Sequence, residues 1–130
     1  MDYYLNKVLA EKNFDVAMDK VIHALKGEGF GVLTQIDMQE TLSVKLDVDF
    51  KKYTILGACN PQFAYKALQA ENKVGVFLPC NVVVEENERG AIEVTMINPM
   101  DAMSAVNNKD LEALATDVQK KLSRVLEAVN

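Results

Sequence analysis

Two cysteines, one histidine and three prolines are spread over 130 residues, and each shortage closes off a class of function. With one histidine, a closed four-ligand zinc site would have to recruit carboxylates or a second subunit. Cys59 and Cys80 stand far apart and match no C-x-x-C redox or zinc pattern. No apolar run approaches the ~20 residues that span a bilayer, so no membrane partner is expected. The N-terminal stretch "MDYYLNKVLAEKNF" lacks the basic and apolar regions of a signal peptide. A cytoplasmic location follows, where thiols stay reduced and a permanent disulfide is disfavoured. Basic residues never cluster beyond the pairs Lys51-Lys52 and Lys120-Lys121, and no aromatics interleave with them. The net charge is −5 and the pI about 4.9. Phosphate neutralisation needs a basic face, so nucleic acid is excluded as a partner.

What is present suits one soluble domain over residues 1–130, with 49% apolar and 25% charged residues. Loose alternation predicts a strand from Tyr3 to Leu9. Asn13 then offers an N-cap to a helix carrying Phe14, Met18, Val21 and Leu25, which ends at Gly27 and Gly29. "FGVLTQI" predicts a second strand. Asp37 and Glu40 have capping-box spacing ahead of a short helix through Leu42 and Leu46. "DVDFKKY" is expected as a loop and "YTILGA" as a third strand. Asn60-Pro61 opens a helix carrying Phe63, Ala67 and Leu68. "VGVFL" and "NVVVEE" are apolar and β-branched and are expected as strands, with Pro79 marking an edge, a bulge or a bend. "ENERG" predicts a turn to "AIEVTMI", and Asn98-Pro99 a further short helix. Leu111, Leu114, Val118, Leu122, Val125 and Val129 have the spacing of a long amphipathic helix. The fold class expected is α+β, a mainly antiparallel sheet with helices on one face.

Asn60 before Pro61 has a complete structural explanation, since Asn is a favoured N-cap and Pro a favoured first helical residue. That helix start can also hold an anion or lower the pKa of Cys59 just before it. Cys80, between Pro79 and Asn81, has no capping account. Its default fate is a buried, inert thiol. A dry Cu(I) site using Cys59, Cys80 and a methionine such as Met96 is chemically allowed, because soft ligands suit soft metals. His23 falls on the polar face of its helix beside Asp19 and Lys26, a surface position. Gly27, Gly29 and Gly31 run from helix to strand, the reverse of a phosphate cradle. Asp47 and Asp49 lack EF-hand spacing, and Met100 and Met103 read as core.

The blocks "GEGFGVLTQIDMQETLSVKLDVDFKKYTILGACNPQFAYKAL" and "LPCNVVV" resemble the domain of unknown function 302 family over nearly the whole chain. Lys52 stands where members commonly have proline, at a loop entry. The resemblance implies a TATA-box-binding-protein-like fold in the order β-α-β-β-β-β-α, with three short helices inserted. It implies a homodimer and no settled activity, and it places Cys59, Asn60, Pro61, Pro79, Cys80 and Asn81 in the family's characteristic motif without giving them a role. DNA binding does not follow from the fold's name. Three functions are then expected in order. The first is a non-enzymatic module binding a small molecule, an anion or a soft metal near Cys59, Asn60, Cys80 and Asn81. The second is a thiol redox or sulfur-transfer enzyme with Cys59 as nucleophile and Cys80 as resolving partner. The third is a structural or interaction protein.

Overall fold

The computed structural model describes residues 2–130. Five strands, β1 (Tyr4–Val8), β2 (Gly31–Asp37), β3 (Tyr53–Cys59), β4 (Cys80–Glu86) and β5 (Ile92–Ile97), form one sheet in the order β1-β5-β4-β3-β2. Every ladder is antiparallel. Helices α1 (Phe14–Gly27), α2 (Met38–Leu46) and α3 (Pro61–Ala70) lie between strands, and α4 (Pro99–Met103) and α5 (Lys109–Ala128) follow the last one. The class is α+β, as the interspersed periodicities predict.

Alternation along the strands sends every second side chain to one face. Leu56 and Ala58, Val82 and Val84, and Ile92, Val94 and Met96 are all buried there. The register sets Leu56 opposite Val82 and Val82 opposite Met96, so this apolar face is continuous across the sheet. Ala17, Met18, Val21 and Leu25 of α1 and Val118, Leu122 and Val125 of α5 cover it in one core. The opposite face carries no helix-borne core and presents Tyr53, Asn81, Val83 and Thr95 in a shallow open depression.

Helix α1 starts where Asn13 accepts a hydrogen bond from the Val16 amide at 3.0 Å. It closes with the Phe30 amide donating to the Leu25 carbonyl and with Gly29 at φ 86°, a left-handed position that glycine fills without strain. Asp37 caps α2 by accepting from the Glu40 amide. Asn98 caps α4 and is itself buried. Its Oδ1 accepts from Met100 N and from Gln119 Nε2, while its Nδ2 donates to the Asp2 carbonyl, so α4, α5 and the start of β1 meet on one satisfied amide.

Two expectations need correction and one resolves among its alternatives. "VGVFL" is no strand: Asn72–Phe77 is a 3₁₀ helix. Val74 is buried while Val76 is 83% exposed, and Val74 and Phe77, three apart, share the second core cluster with Ala67 and Leu111. Three residues per turn place them one above the other, and this period outweighs β-propensity. Of the edge, bulge or bend expected at Pro79, the bend is what forms, since β4 lies between β3 and β5. The proline stands just before the strand, joined to Leu78 by a cis peptide bond, where no ladder N–H is needed. Asn60 occupies the N-cap position of α3, but its side chain makes no capping hydrogen bond.

Candidate functional site

Where the asparagine does go defines the first wall of the site. Asn60 Nδ2 reaches the Glu28 carbonyl at 3.4 Å, and a Cβ added to Gly29 would lie 3.0 Å from that same nitrogen. The β2–β3 ladder explains the encounter: Gly31 pairs with Cys59, so the residue after Cys59 arrives at the turn that ends α1. Asn60 therefore stitches the α1–β2 turn to the start of α3.

Immediately beside it lies an apolar cavity of about 60 Å³. It sits at the ends of β3 and β4, roofed by α3, α4 and α5, with Phe30, Phe63, Leu78, Met103 and Leu111 among its walls. Cys59, Asn60 and Cys80 all border it. Apart from these three, every lining side chain is apolar. A space of that size exceeds the ~10–15 Å³ that one water centre needs, but an apolar wall offers water few partners.

The two thiols differ. Ala58 pairs with Cys80 across the β3–β4 ladder, which puts Cys59 and Cys80 one residue out of register. They are therefore not a directly cross-strand pair, although both border the cavity where the two strands end. Cys80 packs against the main core. Burial, and secondarily the nearby Cys59, pushes its thiol up to about 11. The charged form is thus excluded at neutral pH, and the thiol behaves as a small apolar side chain.

A pH dependence follows. The folded chain holds the Cys80 proton more tightly than the unfolded chain, whose thiol titrates near ~8.5. Between those two values the unfolded state has fewer protons bound, so stability falls as pH rises. Below the unfolded value the contribution is constant. We expect a loss on the order of 2 kcal/mol between pH 8.5 and 11 from this group, absent from Cys80→Ala. Urea midpoints of the two proteins across that range will show it, and parallel pH profiles would contradict it.

The remaining candidates disperse. Asn81 is exposed on the open face of the sheet, paired with Gly57, and borders a different depression. Asn60 and Asn81, though each follows a cysteine, are on different surfaces. Met96 is buried on β5 opposite Val82 and Leu5, whereas Met103 borders the cavity. His23 is exposed on α1, and no histidine, carboxylate or lysine lines the cavity. Among the described residues no group of three or more His, Cys, Asp and Glu side chains is arranged to hold a metal ion. Sequence reasoning misses Phe63, Leu78, Met103 and Leu111 as site residues, because their apolar periodicity reads as ordinary core. No signal in the sequence separates a helix face that seals a core from one that walls a cavity.

The model of the domain of unknown function DUF302 matches residues 6–129. The chain belongs to the DUF302 family. A crystal structure of the uncharacterized conserved protein DUF302 from Bacillus stearothermophilus is similar to it throughout. The TM-score is 0.93 at 30% sequence identity, and all of each chain is covered. No curated protein matches the chain significantly. In this DUF302 chain Cys59, Asn60, Pro79 and Cys80 lie where the α1–β2 turn, the β4 entry and the cavity meet. Among the described residues of this DUF302 chain no helix is long and apolar enough to cross a membrane.

Proposed function

We propose that the chain is a non-enzymatic binding module for a small, largely apolar molecule, acting as a homodimer, with the ligand seated in the cavity beside Cys59, Asn60 and Cys80. The observation that carries the ligand is the wall itself: a cavity of about 60 Å³ whose side chains are apolar except for two thiols and one amide. Such composition, with few polar groups fixing orientation, is what small-ligand sites share. Asn60 supplies the directional contact and Cys80 an uncharged one. Nucleophilic use of the pair has weaker support, because Cys80 is held protonated and no base borders the cavity. A second occupant, a soft cation such as Cu(I), is favoured because Cys59, Cys80 and Met103 all border the same apolar cavity.

Titration with xenon, whose single atom matches a space of about 60 Å³, followed by the Met103 methyl and Phe63 ring NMR signals, tests the reading. Saturable shifts are expected in the native chain and none in Ala64→Leu, which fills the cavity from α3. Unmoved Met103 and Phe63 signals would reject an apolar ligand site. Titration with Cu(I) under reducing conditions, read by the same methyl, separates the metal from the organic occupant.

A further inference from the structure

Between α1 and the β2–β3 ladder lies another opening, a cleft of about 480 Å³. It shares no residue with the apolar cavity, which sits at the opposite end of β3. A volume of this size is within the range of small-molecule sites. The register explains its floor. Asp37 pairs with Thr54 across the ladder, so both side chains leave the sheet on one side. Thr54 alternates in step with Leu56 and Ala58, which places that side under α1. Helix α1 forms the wall, with Asp15 and Asp19 one turn apart and Phe14, Met18 and Ile22 adding apolar surface.

Three carboxylates and one cation, Lys52, therefore border the cleft. Asp15, Asp19 and Asp37 belong to none of the salt bridges among the described residues. Asp37 engages the Glu40 amide through Oδ1 only. Lys52 extends instead over the Phe14 ring, its Nζ 5.7 Å from the centroid. The cleft thus already receives one alkylammonium group against an aromatic face. Thr54 adds a buried polar group, only 6% exposed. The side-chain hydrogen bonds around the cleft join Gln39 to the Phe50 carbonyl and Asp37 to the Glu40 amide, and neither includes the Thr54 hydroxyl. Among the described residues every fully buried side-chain nitrogen or oxygen has a partner. The unpartnered Thr54 hydroxyl must therefore open onto the cleft that it lines.

We propose that this cleft binds an aliphatic diamine as its dication. Three carboxylates against one lysine leave two negative charges unmatched, and two ammonium groups neutralise them. One ammonium donates to Asp37 and the Thr54 hydroxyl on the floor, the other to Asp15 and Asp19 on the wall. The methylene spacer lies along Phe14, Met18 and Ile22, apolar surface that a bare cation would leave unused. A metal ion suits the cleft less well, since no group of three His, Cys, Asp or Glu side chains among the described residues is placed to hold one. The cleft and the apolar cavity are separate, so either can be filled without the other.

Putrescine titrated at constant ionic strength, followed by the Thr54 and Met18 methyl NMR signals, tests the proposal. Saturable shifts of both methyls are expected with putrescine. Butanediol, with the same spacer and no charge, is expected to move neither. Asp19→Asn and Asp37→Asn each remove one charge, and asparagine still caps α2. Each should weaken binding about tenfold or more, as the loss of a charge-assisted hydrogen bond does. Thr54→Val keeps the β-branched shape and should weaken binding several-fold, read at Met18. Lys52→Met removes a like charge and should tighten it. Unmoved methyls, or equal shifts with magnesium chloride, the mark of loosely gathered counterions, would overturn the proposal. So would an affinity unchanged in either asparagine variant.

Discussion

Phe30→Ala should lower the unfolding free energy by about 3–5 kcal/mol, the usual cost of emptying a buried aromatic site. Phe30 is 2% exposed. It follows directly on the turn that ends α1 and belongs to the main core, yet it also walls the cavity beside Cys59 and Cys80. Truncating it would merge the new void with the existing one. Neighbours would have to move into a space that already lacks contact on one side, so little relaxation is available to reduce the loss. Since domains of this kind are stable by about 5–15 kcal/mol in total, the variant should approach the folding threshold. Urea unfolding followed by circular dichroism will measure it, with Phe30→Leu as the smaller truncation expected to lose less than Phe30→Ala. A loss below 1 kcal/mol for Phe30→Ala would show that the helices close over the site.

Gly57→Val is the second large effect, with the opposite cause. Gly57 is buried in the middle of β3, between Thr34 on β2 and the Pro79 ring before β4. A Cβ built there would lie 2.8 Å from Pro79 Cγ and would overlap the Thr34 hydroxyl. Neither neighbour yields easily, since one is a ring held by the backbone and the other sits beside the irregular step of the β2–β3 ladder. Overpacking of this kind costs about 1–3 kcal/mol for modest additions and more for branched ones; about 3 kcal/mol or more is expected here. The strain would fall on the β2–β3 ladder, so hydrogen exchange at Gln35 and Leu56 should accelerate before the rest of the sheet does. If Thr34→Ala partly rescues Gly57→Val, the clash is located; if it does not, the glycine is needed for another reason.

The architecture was legible wherever period and cap agreed. Asn13, Asp37, Asn98 and the 3,4 spacing of Leu111 to Val125 each point to one structure, and the chain adopts it. Failures came where a local preference met a distant partner. Asn60-Pro61 has the best sequence signature of a helix start. The helix does start there, but the Asn60 side chain bonds a turn 32 residues away in the chain. Nothing near Asn60 announces that turn. "VGVFL" failed because β-branched apolar residues suit a strand and a 3₁₀ turn alike when only every third one is buried. The site was half legible. Cys59, Asn60 and Cys80 do border one cavity, but Asn81 leaves for the other face, since residues i and i+1 of a strand must part company. Whether a helix face seals or merely roofs a space depends on how closely α3, α4 and α5 approach. Binary pattern does not encode that separation.

The strand order also has a bearing on synthesis. β2 through β5 form a meander in which each strand pairs with the next, so each ladder can close as soon as its second strand has emerged from the ribosome. β1 is the exception: Tyr4 waits for Ile97. During that interval the nascent chain has an unpaired strand and, until α5 follows, an apolar sheet face carrying Val82, Val84 and Val94 that α1 covers only in part. This is the period in which a chaperone would find most to hold.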